Sequence, residues 1–99
     1  MYFLLLYEAD GDYVEQRQPY RVQHLALARE YVERDELVLG GAFAEPADGA
    51  ALVFRCESAE TLERFINADP YVQNGVVKRW RIRPWTVVVG CGMTEPSPI

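Results

Sequence analysis

A chain of 99 residues is long enough for one domain and too short for two of ordinary size. Its 49% hydrophobic and 12% aromatic content supplies a core and excludes a disordered chain. Ten basic against fifteen acidic residues give a net charge of −5, which excludes nucleic acid as the main partner, since phosphate binding relies on a basic footprint.

The first strand is predicted over residues 2–7, six apolar residues in a row. Continuity in place of alternation implies cover on both faces. The run is far short of the roughly 20 residues that span a bilayer, so no membrane association is expected. No lysine or arginine precedes it as in a secretory leader, and a cytoplasmic chain starting here is the expectation. Glu8-Ala9-Asp10-Gly11-Asp12 ends the strand with turn residues.

A helix is predicted from position 19 or 20 to 34, because proline suits a first turn. Its apolar stripe is the stem of Arg21 with Leu25, Ala28 and Val32, flanked by Leu27 and Tyr31. Residues 37–43 make a second strand that contains Gly40-Gly41. Glycine within a strand predicts a bulge or the close approach of another group to the backbone. After the turn Glu45-Pro46-Ala47-Asp48-Gly49, a third strand covers residues 51–56. Ser58 is the expected N-cap of a second helix, with Glu60 suited to the dipole and Leu62, Phe65 and Ile66 on its apolar face. Asp69-Pro70-Tyr71 then leads into a loop through Asn74-Gly75, and a fourth strand covers 76–89 with an interruption expected at Pro84. Residues 1–89 are read as one domain and 90–99 as a flexible tail.

The order β-α-β-β-α-β is the ferredoxin-like arrangement, an α+β fold with a four-stranded antiparallel sheet and two helices on one face. The uncovered face, expected to carry part of Phe3, Leu5, Tyr7 and Val53, would leave an apolar patch larger than most monomers tolerate. A homodimer through the sheet faces is the expected remedy.

Two features carry chemistry. Proline forces its predecessor out of the helical region, so Asp69 should sit at a helix end with its carboxylate free to point elsewhere. His24, the chain's only histidine, lies on the first helix beside the apolar stripe, on a face with Arg21, Ala28 and Tyr31. Imidazole exchanges protons near neutrality, and a carboxylate on one ring nitrogen would fix its tautomer. Each also has an ordinary reading: a structural histidine, and an aspartate that terminates a helix. Arg17 and Arg21 are candidates for holding the carboxylate or enolate oxygen of an anionic small molecule. Tyr20, Tyr31, Trp80 and Phe43 serve either as an apolar wall for a ring or as core. Arg79, Arg81 and Arg83 alternate along the fourth strand as a solvated face or a second anion site. Cys56 and Cys91 are expected reduced, Cys56 as a small core residue and Cys91 exposed and mobile. One histidine and two scattered cysteines give no metal-ligand spacing, and no phosphate loop or nucleophile elbow appears, so neither metal nor cofactor is expected.

Taken together, Arg17, Arg21-Val22-Gln23-His24-Leu25, Gly40-Gly41, Asp69-Pro70-Tyr71, Gly75 and Arg83-Pro84-Trp85 make the chain resemble the YCII-related family from residue 1 to about 85. The resemblance implies a dimeric α+β barrel. It implies a His24–Asp69 pair in a pocket, with Arg17, Arg21, Gly41 and Tyr71 as substrate-binding residues. Tyr71 either donates a hydrogen bond to the ligand or only packs its ring. Where the family often has Gly-Pro at the end of strand two, this chain has Gly41-Ala42, so the pocket floor is expected to differ. The activity implied is cofactor-independent acid–base chemistry, isomerase- or dehalogenase-like, on a small organic acid or cyclic enol. The alternative is a non-catalytic module that holds a small ligand.

Overall fold

The computed structural model describes residues 1–90. Cys91 and the rest of the expected tail, 91–99, lie outside the described residues. The elements run β1 (Tyr2–Ala9), α1 (Tyr13–Gln16), a 3-10 turn (Gln18–Tyr20), α2 (Arg21–Glu33), β2 (Leu37–Ala42), β3 (Gly49–Arg55), α3 (Glu60–Ala68), α4 (Pro70–Gln73) and β4 (Val77–Trp85). The sheet order is β2-β3-β1-β4 and every pair is antiparallel. This is the ferredoxin-like topology, with β1 and β3 central.

Register fixes which side of each strand meets the helices. Phe3, Leu5 and Tyr7 lie opposite Phe54, Leu52 and Ala50, and all six are buried. The intervening Tyr2, Leu4 and Leu6 lie opposite Arg55, Val53 and Ala51 on the open face. The expected patch is thus corrected. Phe3, Leu5 and Tyr7 belong to the helix-covered side, and Leu4, Leu6, Ala51 and Val53 form the half-buried open side. An unbroken apolar run carries no parity of its own, so only the pairing register decides its faces. On β4, Arg79, Arg81 and Arg83 lie opposite Glu8, Leu6 and Leu4, and Arg79 pairs with Glu8 at 3.0 Å.

The core is knitted by aromatic edges. The Phe65 ring centroid is 5.2 Å from Tyr31 and 5.3 Å from Phe54, which ties α3 and α2 to β3. With Leu62 and Ile66 these are the kind of side chain whose burial stabilises a fold by about 1.5–3 kcal/mol each. Tyr31 is the buried residue of α2, with Leu27 and Ala28 packed against the core beside it. The expected stripe is therefore rotated: Val32 is half exposed, and Tyr31 faces inward. That rotation matters because His24 lies two turns before Tyr31 on the same face.

Other expectations shift locally. The bulge on β2 falls at Val38, between Leu37 and Leu39, upstream of the glycines. The strand continues through Pro84 because β4 is an edge, where proline's missing N–H costs no internal ladder bond. Ser58 accepts from the Glu60 N–H at 3.3 Å, although α3 takes Ala59 as its formal cap. The region after Asp69 is the short helix α4, closed by Gly75 at φ +73°, where an expected loop gives way to one turn. Cys56 sits just past β3, half-buried, with its thiol on the Ser58 carbonyl at 3.3 Å. Gly49 leaves no room for a side chain, since a Cβ there would collide with the Tyr7 carbonyl oxygen.

Candidate active site

Asp69 occupies the junction of α3 and α4. Pro70 excludes it from the helical region, and its backbone is extended at φ −75° and ψ 118°. Its carboxylate turns back over the new helix and accepts the Tyr71 N–H at 2.9 Å, an N-cap for α4. The same oxygen, Oδ1, lies 2.8 Å from His24 Nδ1. The other oxygen, Oδ2, accepts the Tyr7 hydroxyl at 2.7 Å. The carboxylate is fully buried and meets a hydrogen-bond donor at each oxygen.

This network assigns the tautomer of His24. With the Tyr71 N–H and the Tyr7 O–H already donating, the carboxylate acts as acceptor and Nδ1 carries the hydrogen. Nε2 is left with a lone pair and makes no hydrogen bond among the described residues. The imidazole stacks on the Tyr71 ring, 3.8 Å between centroids and 6° between planes, and meets the edge of Phe65 at 6.4 Å. Its side chain is 14% exposed, so the ring is held on three sides and open on the fourth.

That opening gives onto a cavity of about 380 Å³ between α2 and the β2 edge of the sheet. Tyr13, Arg17, Arg21, His24 and Tyr71 form its polar end. Leu25, Ala28, Val32, Leu37 and Leu52 form its apolar wall, and the backbone of Gly40-Gly41-Ala42 its floor. A Cβ placed on Gly41 would meet nothing within 4 Å, so the floor stays open there. The Arg17 guanidinium lies over the Tyr13 ring, 5.1 Å from its centroid, and its Nε is buried without a hydrogen-bond partner. Burial pushes the phenols of Tyr7, Tyr13 and Tyr71 above their ordinary range. Asp69 adds to the effect at Tyr7, whereas Arg17 opposes it at Tyr13 and Tyr71. All three therefore remain neutral hydroxyls at physiological pH.

A larger depression of about 490 Å³ runs over β4 between Glu8, Lys78, Arg79, Trp80 and Arg81. Two of its cations are already engaged, Arg79 with Glu8 and Lys78 with Asp10, and no acid–base pair faces it. The histidine–aspartate pair opens onto the smaller cavity. Among the described residues no group of three or more His, Cys, Asp or Glu side chains is placed to hold a metal ion.

The fold thus brings together all six residues singled out from the sequence: His24, Asp69, Arg17, Arg21, Gly41 and Tyr71. The aromatic wall is a correction: Tyr20, Tyr31, Trp80 and Phe43 do not line the cavity, whose wall is aliphatic. Tyr7 and Tyr13 escape a reading of the sequence. A tyrosine inside an apolar run reads as core, and only the pairing of β1 reveals that Tyr7 ends beneath Asp69. Tyr13 stands on a helix of four residues, too short for periodicity to register.

A ferredoxin-like sheet whose helix presents a histidine, backed by a buried aspartate, to a cavity with two arginines defines a class of small α+β proteins with a histidine–aspartate site. Within that class, residues 1–86 match the YCII-related domain, and the chain belongs to this family. No curated protein sequence matches it. Among solved structures it is similar to the 5-chloro-2-hydroxyhydroquinone dehydrochlorinase of Burkholderia phenoliruptrix AC1100, solved with 2,5-dihydroxybenzoquinone. The two share 19% identity and superpose with a TM-score of 0.72, covering 86% of this chain and 93% of that one. A likeness at this identity establishes the fold. No helix among the described residues is long and apolar enough to cross a membrane.

Proposed function

We propose that this protein is a small enzyme that uses His24 and Asp69 for cofactor-independent proton transfer on an anionic cyclic enol or small organic acid. The observation that carries the reading is the 2.8 Å contact between His24 Nδ1 and Asp69 Oδ1, which leaves Nε2 facing a cavity with Arg17 and Arg21. Family membership and the dehydrochlorinase of similar fold, solved with a ring that carries acidic oxygens, support a ligand of this kind.

In this reading Nε2 removes a proton from carbon next to a carbonyl. The C–H electron pair moves onto the oxygen, and the guanidinium groups of Arg17 and Arg21 stabilise the enolate. Collapse of the enolate either takes the proton back at another carbon, an isomerisation, or expels a leaving anion from the neighbouring carbon, an elimination. Asp69 holds the imidazolium that forms in between. We propose further that two copies pair through the open sheet face, where Leu4, Leu6, Ala51 and Val53 are only half-buried and Trp85 is 47% exposed. Sedimentation should then give a dimer, and Leu6→Lys a monomer.

The test works whichever product forms. Ring enols, chlorinated hydroxyquinols and small oxo acids are incubated with the protein in D₂O, and carbon-bound deuterium and released halide are followed. General acid–base assistance contributes about 10²–10⁴-fold, so His24→Ala should lose that factor with its circular dichroism unchanged. Asp69→Asn, which permits the wrong tautomer, should lose a comparable factor. Equal turnover in His24→Ala ends the catalytic reading. Saturable binding with neither exchange nor product in the wild-type protein would establish the ligand-holding module in its place.

A further inference from the structure

Tyr7 is the group in the network that the proposed chemistry does not yet use. It is 1% exposed, sits near the end of the central strand β1, and is joined to the site only through Asp69 Oδ2. It is not a ligand-binding group, because it does not line the cavity.

Resting on the acid–base reading above, we infer that Tyr7 is a positioning residue that sets the proton affinity of His24 through Asp69. The argument is one of shared charge. A carboxylate has about four acceptor positions, and each donor it accepts takes up part of its negative charge. The Tyr7 hydroxyl donates at Oδ2 while His24 competes for the rest at Oδ1. Burial keeps the phenol protonated, so the donation persists through the neutral range in which an imidazole exchanges its proton. Without it, only the Tyr71 N–H would share the charge of Asp69 with His24, more of that charge would act on the imidazolium, and His24 would hold its proton to higher pH.

Tyr7 also sits on a different element from the other partners. The charged and titratable groups around the His24–Asp69 pair are Tyr7 on β1, Tyr13 and Arg17 at α1, Arg21 on α2 and Tyr71 on α4. Of these, Tyr7 alone donates a side-chain hydroxyl to Asp69, and Arg17 and Arg21 act through space on the neighbouring Tyr71 phenol. The sheet therefore tunes a base carried on a helix.

His24 is the only histidine in the chain, so its ring nitrogens give unambiguous signals in ¹⁵N-labelled protein. Wild-type protein should show the Nδ1–H tautomer when neutral. Tyr7→Phe should retain that tautomer but move the titration midpoint of the ring upward by about half a pH unit or more. Tyr7→Phe leaves Oδ2 buried and unpaired, so difluorotyrosine incorporated at position 7 provides a variant that preserves the packing. Its more acidic phenol donates more strongly and should move the midpoint downward. Adding Tyr7→Phe to Asp69→Asn should produce no further shift. A midpoint that stays in place in both position-7 variants, or moves the same way in both, overturns the inference. The measurement reads a proton and not a product. Absence of turnover with opposite shifts present would therefore reject the catalytic reading and leave this one standing.

Discussion

The imidazole of His24 and the ring of Tyr71 lie face to face, and both residues are fastened to one oxygen of Asp69. Tyr71 is attached through its own N–H and His24 through Nδ1, so the stack fixes the plane of the imidazole as the hydrogen bond fixes its direction. Tyr71→Phe keeps the stack and should retain activity within about threefold if the ring alone matters. Tyr71→Leu removes it, and a small misplacement of a catalytic group can cost about 10²-fold in rate. Comparing kcat and KM for the two variants decides between packing and hydrogen bonding. A large fall in Tyr71→Phe, expressed in KM, would assign the hydroxyl to the ligand.

Arg17 has a buried Nε with no partner, an expensive arrangement that an anionic ligand would relieve. Arg17→Met, of similar length, should weaken binding of a small carboxylate or ring enolate by about the 1.5–3 kcal/mol typical of hydrogen bonds to charged groups. The melting temperature should not fall. Arg17→Lys should restore little, because a lysine offers no donor at the Nε position. Calorimetric titration of the three proteins with one ligand settles the point, and equal affinities would remove Arg17 from the site.

Stability should decline in alkaline solution for a specific reason. The folded state holds the Tyr7 phenol above its ordinary value by burial, then by the Asp69 charge. Such a raised group contributes stability that is complete below the unfolded-state value of about 10 and is lost as pH climbs beyond it. The unfolded chain releases a proton that the folded one keeps, at a cost of about 1.4 kcal/mol per pH unit for the single phenol. Urea melts at successive pH values above about 10 should show a shallower decline in Tyr7→Phe than in the wild type. Parallel lines would mean that Tyr7 ionises with little hindrance.

Gly49 meets the backbone of Tyr7 so closely that Gly49→Ala must push the two central strands apart. Overpacking of this kind costs about 1–3 kcal/mol, and the collision is with backbone, which cannot swing away. Thermal melts should record the loss. Gly41→Ala, with open space around the new methyl, should leave the melting temperature nearly unchanged.

What a sequence reveals here and what it conceals follow from the range of each signal. Asp69-Pro70 is readable because proline acts on its neighbour, and the consequence, an extended aspartate between two helices, is local. His24 is readable as a boundary residue because helical spacing relates it to Tyr31. The alternation of Phe3 and Leu5 against Leu4 and Leu6 is not readable, because all are apolar and the deciding information lies in their partners on β3. For the same reason Tyr7 passes as core: its hydroxyl acquires a role only when residues 62 positions apart are brought together. The expected aromatic wall fails because Leu25, Val32 and Leu37 line the cavity in its place, and aliphatic side chains on a helix and a strand look the same whether they face a core or a cavity.

The carboxylate of Asp69 ties β1, α2 and α4 at one point, whereas Arg17, Arg21, Leu25, Val32 and Gly41 stand on the far side of the histidine with no part in that knot. Selection is therefore free to redraw the cavity lining while the hydrogen-bonded half stays fastened. A scaffold divided in this way can diversify what it accepts without relearning how to fold.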